Sequence, residues 1–248
     1  MRLLLCGYGA SNRRVAALAK ERGHEIVGVL LLRGQTADGF PVYRPDERLP
    51  EADAVIDFSH PVLTKALLDA DTGLPLVIAT TGEKEVLIKQ MREKAVRQPI
   101  FFSANMSYGV HILSEIVRYA ASLLPGFDIE MTERHHRKKV DAPSGTLIKL
   151  YDAIASARPN VHPVHDRHQT EGARTDEEIG IHSVRGGTIT GEHEVLFAGH
   201  DETITIAHHA QSKDIFASGA LDVAERLIHK ENGYYTYDNL GIGDSGEE

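Results

Sequence analysis

The sequence has few of the features that mark secreted or membrane proteins. Among 248 residues there is one cysteine, Cys6, and no tryptophan. A single cysteine excludes an intrachain disulfide and suits a reducing compartment, and we interpret Cys6 as a small residue of a buried strand. No apolar run approaches the roughly 20 residues that a membrane-spanning helix needs. The sequence therefore predicts no membrane partner.

Signals for secretion and for nucleic-acid binding are missing as well. The apolar stretch at residues 1–7 is too short for a secretory signal and ends in a glycine turn, which predicts a cytoplasmic location. Basic residues are fewer than acidic ones: the sequence has 27 Lys and Arg against 36 Asp and Glu, which gives a net charge of −9. General attraction to nucleic acid is thereby excluded. An anionic small substrate would need a locally basic pocket.

Short apolar runs alternate with amphipathic segments through the first 100 residues, a pattern typical of βαβ units. The predicted fold class is therefore α/β, with a Rossmann-like doubly wound parallel sheet that binds ligands at the carboxyl ends of its strands. The predicted strands are residues 3–6, 26–32, 54–58, 76–79 and 100–102, and the predicted helices are residues 10–22, 61–70 and 83–97.

The pattern changes after residue 107 and predicts a second, α+β lobe with a mixed sheet. Three segments alternate apolar and polar residues across glycine-containing turns, as antiparallel strands do. The elements predicted are helix 107–124, strand 127–133, a helix from Ser144, a polar loop at 157–178, strands 179–184, 188–198 and 203–209, and helix 212–228. The domains predicted are residues 1–106 for the dinucleotide, residues 107–216 as the second lobe, and residues 217–248 as a helix and tail returning to the first domain.

The segment Gly7-Tyr-Gly-Ala-Ser-Asn12 stands where a dinucleotide-binding loop belongs, after the first strand and at a helix start. Gly7 permits the tight turn, Gly9 lets the backbone approach a pyrophosphate, and the helix start favours an anion. Asn12 replaces the usual third glycine, and a lone Gly-x-Gly is also compatible with an ordinary turn. The residues that this loop assigns to the cofactor are Gly7, Tyr8, Gly9, Ala10, Ser11 and Asn12.

The end of the second strand bears on the choice of cofactor. It lacks the acidic residue that holds the ribose of NAD and carries Arg33, which is either a partner for the 2′-phosphate of NADPH or a solvated charge. We expect NADPH or NADH to serve, with a lean to NADPH. Asp57 and Ser59 follow another strand. The small residues at this strand end and at two further strand ends either line a nicotinamide pocket or simply form turns. Those at the two further ends are Ala79, Thr80, Thr81, Ser103, Ala104, Asn105 and Met106.

Residues 133–146 gather the most reactive side chains of the chain. His135, His136 and Lys139 precede a helix start at Ser144, whose free amides can bind a carboxylate. Ser144 alone is compatible with a simple N-cap, and the cluster with a solvated basic loop. Their combination on one connection favours a site for an anion.

Other histidines are interpreted as non-catalytic. His162, His165 and His168 lie in a polar loop without cysteine, so we interpret them as surface residues and predict no metal site. The pair at residues 208 and 209 is interpreted as structural or inter-subunit.

The run Glu133-x-His-His-x-x-Lys-x-Asp-Ala-Pro-Ser-Gly-Thr146 resembles the signature of the 4-hydroxy-tetrahydrodipicolinate reductase family, formerly called dihydrodipicolinate reductase. Shorter matches follow the family in order along nearly the whole chain, at residues 7–12, 57–59, 80–82, 103–107, 183–187 and 212–217.

The resemblance implies NAD(P)H-dependent reduction of a cyclic dicarboxylic imine in lysine and diaminopimelate biosynthesis. It implies that residues 107–216 are a substrate-binding and oligomerisation domain, which builds a homotetramer through the second sheet. It implies His135 and Lys139 as proton donors. It also implies that the substrate carboxylates are held by His136, Ser144, Gly145 and Thr146.

Two other functions are kept as alternatives. Another two-domain dehydrogenase, acting on aldehydes or sugars, would give the His-His-x-x-Lys run no role. A nicotinamide-sensing binding protein would need neither proton donors nor a pocket for an anionic substrate. Turnover with the imine separates all three.

Overall fold

A computed structural model describes residues 1–37, 39–169 and 171–241 of the chain. It divides into two compact units, one formed by Met1–Ser107 with the chain from Asp214 onward, the other by Tyr108–Lys213. The roles predicted for the two domains stay predictions. None of the helices in the described ranges has the length and apolarity to span a bilayer.

Strands and helices are numbered separately along the chain. The strands are β1 (Arg2–Cys6), β2 (Glu25–Leu30), β3 (Val42–Tyr43), β4 (Ala54–Asp57), β5 (Leu76–Ile78), β6 (Pro99–Phe102), β7 (Asp128–His135), β8 (His162–Val164), β9 (Glu178–Arg185), β10 (Gly191–Ala198), β11 (Thr203–Ala210) and β12 (Gly233–Tyr235). The helices are α1 (Ala10–Glu21), α2 (Pro61–Asp69), α3 (Lys84–Lys94), α4 (Tyr108–Leu123), α5 (Gly145–Ala157) and α6 (Asp214–Leu227).

The first unit is built on a seven-stranded sheet in the order β12-β6-β5-β4-β1-β2-β3. Its neighbouring strands are all parallel, and β4 is buried along its whole length. These observations confirm the Rossmann-like doubly wound sheet. Because parallel strands share one direction, the loops after β1, β2, β4, β5 and β6 emerge at the same edge, where the predicted cofactor residues lie.

The helices of the first unit follow the predicted pattern closely. In α1, Val15, Ala16 and Ala19 form the buried stripe, and Gly23 follows the helix with φ +77°, a conformation that glycine adopts at no steric cost. The last helix, α6, packs against α1 and against β4, β5 and β6. The helix therefore belongs to the same compact unit as the parallel sheet.

The short strands β3, β8 and β12 were not predicted. β3 and β12 have two and three residues, which is too short for alternation to show. β8 falls within the stretch predicted to be a loop, and that prediction was wrong there. Its His162 and Pro163 are exposed and only Val164 is half-buried, so the segment carries no apolar signal, and pairing with β9 alone makes it a strand.

The second unit contains a five-stranded mixed sheet in the order β11-β10-β7-β9-β8. β9 and β10 run in opposite directions but are not neighbours, because β7 lies between them and pairs parallel with β9 and antiparallel with β10. Alternation identifies strands and their faces but not their partners. One face of the sheet packs with α4 and α5 around a core that includes Met131, Val195 and Phe197.

Candidate active site

The period of a β-strand places Glu133 and His135 on one face of β7. Side chains two residues apart in a strand point to the same side, and the burial along β7 alternates accordingly. Both residues belong to the buried face that continues from Ile129 and Met131. The strand thus carries the sheet's apolar core at one end and two ionisable side chains at the other.

Glu133 is the centre of a buried hydrogen-bond network. Its carboxylate accepts two hydrogen bonds from the Arg185 guanidinium, at 2.8 and 3.0 Å, a bidentate arrangement that fixes both groups. The same carboxylate contacts Nδ1 of His135. A negatively charged partner at Nδ1 favours the tautomer with the proton there, so the free electron pair of the neutral ring is on Nε2.

The charges around Glu133 set the protonation of both side chains. Burial acts to raise the pKa of Glu133, but hydrogen bonds from Arg185, His135 and Ser183 outweigh it and lower the pKa below its usual range. Burial lowers the pKa of His135, an effect that Glu133 opposes and that the charges of Lys139 and Arg185 reinforce. In the free protein at neutral pH, Glu133 is therefore ionised and His135 is neutral.

The connection from β7 to α5 is tied down by two basic side chains. Lys139 donates to both carboxylate oxygens of Asp141, at 2.8 and 2.9 Å, and this pairing lowers the pKa of Asp141. Arg185 donates at 2.6 Å to the backbone carbonyl of Asp141. Arg185 thus connects the loop to the buried Glu133. Lys139 lies close enough for its charge to lower the pKa of His135.

The predicted helix start at Ser144 is confirmed. Ser144 is the N-cap of α5, and its hydroxyl oxygen accepts the backbone N–H of Leu147 at 3.2 Å. The same oxygen lies 3.1 Å from Nε2 of His193 on β10. Ser144 is therefore both a helix cap and a neighbour of the histidine cluster, since the His193 and His135 rings make an edge-to-face contact at 5.2 Å.

A glycine on β10 leaves room for the His135 ring. A Cβ placed on Gly191 would lie 3.0 Å from Nε2 of His135, which is tighter than ordinary van der Waals contact. The glycine thus keeps the reactive nitrogen of His135 free of a side chain from the neighbouring strand.

The loop after β1 in the first unit has the geometry of an anion site. Gly7 has φ +82°, and a Cβ there would lie 2.8 Å from the Cβ of Ser59, so glycine is required. At Gly9 a Cβ would meet no atom within 4 Å, which leaves open space beside the first turn of α1. That turn carries no acidic residue, and its helix dipole favours a phosphate.

The Asn12 side chain stabilises this loop through hydrogen bonds to its backbone. Its side chain is fully buried, and Nδ2 donates to the backbone carbonyls of Cys6 and Gly7, both at 2.7 Å. These bonds hold the turn that glycine permits. The observed role of the Asn12 side chain is to brace the loop, and its contact with a cofactor stays a prediction.

Asp57 links the loops that follow β4 and β5. Its buried carboxylate accepts the N–H of Ser59 at 2.9 Å and the hydroxyl of Thr64 at 2.7 Å. The Thr80 hydroxyl lies 2.9 Å from that of Thr64. Burial raises the pKa of Asp57, against the hydrogen bonds from Ser59 and Thr64. The network fixes two strand ends that the sequence assigned to the nicotinamide side.

Arg33 has a partner that the sequence did not indicate. Its guanidinium donates at 2.7 Å to the carboxylate of Asp46, and both side chains are mostly exposed. Arg33 is thus neither an isolated solvated charge nor a free phosphate ligand. Any phosphate that it binds has to compete with Asp46.

Comparison with known proteins identifies the family. The family model described as "Dihydrodipicolinate reductase, N-terminus" matches residues 1–106, and "Dihydrodipicolinate reductase, C-terminus" matches residues 109–240. The chain belongs to the dihydrodipicolinate reductase family. A relative named 4-hydroxy-tetrahydrodipicolinate reductase, from Staphylococcus epidermidis, is 60% identical over 240 residues, 97% of this chain and 100% of the relative.

Solved structures show the same fold. A dipicolinate-bound dihydrodipicolinate reductase from Paenisporosarcina sp. TG-14 is 22% identical, with a TM-score of 0.72 over 95% of this chain and 97% of that chain. An engineered D-amino acid dehydrogenase bound to NADP+ is 14% identical, with a TM-score of 0.56 over 95% of this chain and 92% of that chain. At these identities the likeness concerns the fold alone.

The structure brings most residues of the predicted substrate site into one part of the second unit. His135 and Ser144 are buried, Lys139 is half-buried, and all three belong to the network around Glu133, Arg185 and His193. His136, Gly145 and Thr146 lie beside them along the chain, and of these Gly145 is exposed. Their binding to substrate stays a prediction.

The predicted cofactor residues divide by exposure. At the strand ends of the first unit, one group is exposed and a second group is buried within the loops. The exposed group comprises Gly9, Ala10, Ser11, Thr81 and Ala104, and the buried group comprises Gly7, Asn12, Ala79, Thr80 and Met106. Tyr8, Ser103 and Asn105 are intermediate.

Sequence reasoning missed three members of the site, Glu133, Arg185 and His193. Glu133 is the first residue of the family signature, but the sequence analysis assigned it no role. It precedes His135 by two residues at the end of a predicted strand, and this spacing indicates that both side chains lie on the same face. Arg185 lies within one of the shorter family matches, at residues 183–187, to which no role was assigned. His193 lies inside an alternating strand, and nothing in that pattern separates it from a core residue.

Proposed function

We propose that this dihydrodipicolinate reductase family member reduces 4-hydroxy-tetrahydrodipicolinate to tetrahydrodipicolinate with NAD(P)H. Overall the cyclic substrate gains one hydride and one proton and loses its hydroxyl as water. The observation that carries the proposal is the buried Glu133–His135 pair beside Lys139 and the start of α5. This arrangement combines an oriented imidazole with cations suited to a dicarboxylate.

His135 is proposed as the residue that delivers the proton. Glu133 holds Nδ1, so proton exchange with a substrate falls to Nε2, against which Gly191 places no side chain. A doubly negative substrate raises the pKa of a neighbouring imidazole, because it favours the charged form. Substrate binding would then protonate His135, and the buried Glu133 carboxylate would stabilise the imidazolium.

Lys139 and the start of α5 are proposed to hold the substrate carboxylates. The Lys139 ammonium is already paired with the Asp141 carboxylate. A substrate carboxylate would therefore replace the Asp141 carboxylate as the partner of Lys139. The N-terminal turn of α5 offers backbone N–H groups and the positive end of the helix dipole. His136, Ser144, Gly145 and Thr146 would supply the remaining contacts.

The nicotinamide cofactor is assigned to the first unit, whose residues fit it. The glycine turn, the open space at Gly9 and the first turn of α1 without an acid suit the pyrophosphate. When bound, the reduced nicotinamide supplies the hydride. The residues of the chain hold the loops around the cofactor in place. Asn12 hydrogen-bonds to the loop after β1, and Asp57 links the loops after β4 and β5.

Cofactor choice is proposed to lean to NADPH and to depend on Arg33. We expect Arg33→Ala to raise the KM for NADPH severalfold and to leave that for NADH nearly unchanged, since only NADPH offers a 2′-phosphate. Asp46→Asn should lower the KM for NADPH, because it removes the competing carboxylate. Both effects should shrink with added salt, since the contact is exposed. Equal effects of Arg33→Ala on both cofactors would show that Arg33 is not a phosphate ligand.

We also propose that the protein forms a homotetramer through the second sheet. The proposed location is the cytoplasm, a reducing compartment that is compatible with a single cysteine. The sheet face opposite α4 and α5 carries Thr132, Arg134, Glu194 and Leu196, all partly exposed. This supports assembly, since copies of the chain can cover that face. A solution mass of four chains is expected from light scattering, and a concentration-independent monomer would refute it.

The proposed reaction is tested by following nicotinamide absorbance. NADPH or NADH should be oxidised when pyruvate and aspartate semialdehyde have been condensed to the imine immediately beforehand. Simple aldehydes and hydroxy acids should give no turnover, because they lack the two carboxylates. Turnover of those compounds with none of the imine would favour another dehydrogenase, and binding of the nucleotide without any turnover would favour a sensor.

A further inference from the structure

His193 occupies the centre of the substrate unit without a role in the proposed proton transfer. It lies on β10, directly opposite Glu133 on β7 and His208 on β11, and only 5% of it is exposed. Its Nε2 lies 3.1 Å from the Ser144 hydroxyl oxygen. Its Nδ1 is buried and has no hydrogen-bond partner among the described residues.

The tautomer of His193 decides what the Ser144 hydroxyl can do. The Ser144 oxygen already accepts the N–H of Leu147 as the N-cap of α5. If His193 carries its proton on Nδ1, Nε2 accepts the Ser144 hydrogen, and a buried Nδ1–H is left without an acceptor. If the proton is on Nε2, the Ser144 oxygen accepts two hydrogen bonds and its own hydrogen stays available.

The second arrangement is the one that hydrogen-bond satisfaction favours. Buried N–H groups without an acceptor are rarer in folded proteins than acceptors with a spare electron pair. With the proton on Nε2, the Nε2–H is bonded to the Ser144 oxygen, and the unpaired ring atom is the acceptor Nδ1. Among the described residues, no acceptor reaches Nδ1 to reverse this preference.

We propose that His193 is a positioning residue, which donates its Nε2–H to Ser144 and so leaves the Ser144 hydroxyl hydrogen to bind a substrate carboxylate. This inference rests on the proposed function, because it needs a dicarboxylate at the start of α5. It assigns Ser144 the direct contact and gives His193 an effect through Ser144 alone.

The neutrality of His193 is consistent with this role. Burial, reinforced by the charge of His135, lowers the pKa of His193 to about 4. A neutral ring donates one hydrogen bond and adds no positive charge beside His135, with which it makes the edge-to-face contact. The cation that forms during turnover is thus left to His135.

The test compares two substitutions of His193 with one of His208. His193→Leu removes the donor and should raise the KM for the imine, and the Kd for pyridine-2,6-dicarboxylate, about tenfold, with kcat nearly unchanged. His193→Gln places an amide N–H near the position of Nε2 and should restore most of the affinity. His208→Leu is the matched control, since His208 is the cross-strand neighbour with an unpartnered Nδ1 among the described residues, and it should leave both constants unchanged.

A Ser144→Ala background separates an effect through Ser144 from a general loss of structure. In that background, His193→Leu should cause no further rise in Kd, whereas a merely structural role would add its effect again. An unchanged Kd for His193→Leu in the parent, or a His193→Gln variant as weak as the leucine variant, would overturn the proposal. If the unmodified protein fails to bind the dicarboxylate, the proposed function itself is wrong, and the two failures are thereby distinguished.

Discussion

Replacing His135 by glutamine should lower kcat by about 10²- to 10⁴-fold, the usual contribution of a positioned general acid. Glutamine keeps a polar side chain of similar length but cannot carry a proton to the substrate. Nicotinamide binding should be unaffected, because the predicted cofactor residues belong to the first unit. Steady-state kinetics with the imine, together with calorimetric titration of NADPH, measure the two effects separately.

The pH dependence of kcat/KM tests whether His135 is the donor. This ratio reports the free enzyme, in which burial holds the pKa of His135 below its usual value. Because the protonated form donates, kcat/KM should be highest below that pKa and should fall as the pH rises through it. His135→Gln should remove this fall. A parent profile that stays flat to high pH would assign proton delivery to Lys139 instead.

Glu133→Gln should be the most damaging change to the network. It keeps the shape of the side chain but leaves the Arg185 guanidinium without a buried counter-charge, and breaking such a pair costs about 3 kcal/mol of the free energy of unfolding. It also removes the charge that raises the pKa of His135, so the fall in kcat/KM should move to lower pH. Denaturant titration and the pH–rate profile measure the two consequences.

Glu130 is the matched control for Glu133. It lies on the same strand but on the opposite face, and it too accepts hydrogen bonds from an arginine and a histidine, Arg174 and His182, both at 2.7 Å. Glu130→Gln should leave the pH profile in place. If Glu133→Gln and Glu130→Gln have the same small effect on stability and on the profile, Glu133 is not the group that orients His135.

The sequence predicted the elements of the fold better than their arrangement. Strands such as β1 and β4 are continuous apolar runs because both faces of their sheet are covered, and this signal is local. The neighbour of β9 is not a local property. The alternation of β9 and β10 indicates antiparallel strands, whereas the pairing of β7 between them depends on the whole core.

The candidate site was predictable only where chemistry is concentrated in one segment. His135, Lys139 and Ser144 stand together in the chain, and the family signature covers them. Arg185 and His193 reach the site from other strands, through cross-strand neighbours that the sequence does not display. The pairing of Arg33 with Asp46 was also not predicted, since thirteen positions separate the two residues in the chain.

Calorimetric titration with pyridine-2,6-dicarboxylate measures directly whether the Glu133–His135–Lys139 region binds a cyclic dicarboxylate. We expect the dicarboxylate to compete with the imine, pyridine-2-carboxylate to bind much more weakly, and the Thr146→Val variant to bind the dicarboxylate more weakly than the parent. Equal affinity for the mono- and dicarboxylate, or unchanged affinity in a Lys139→Ala, Thr146→Val double variant, would contradict this expectation and would place the carboxylate site elsewhere.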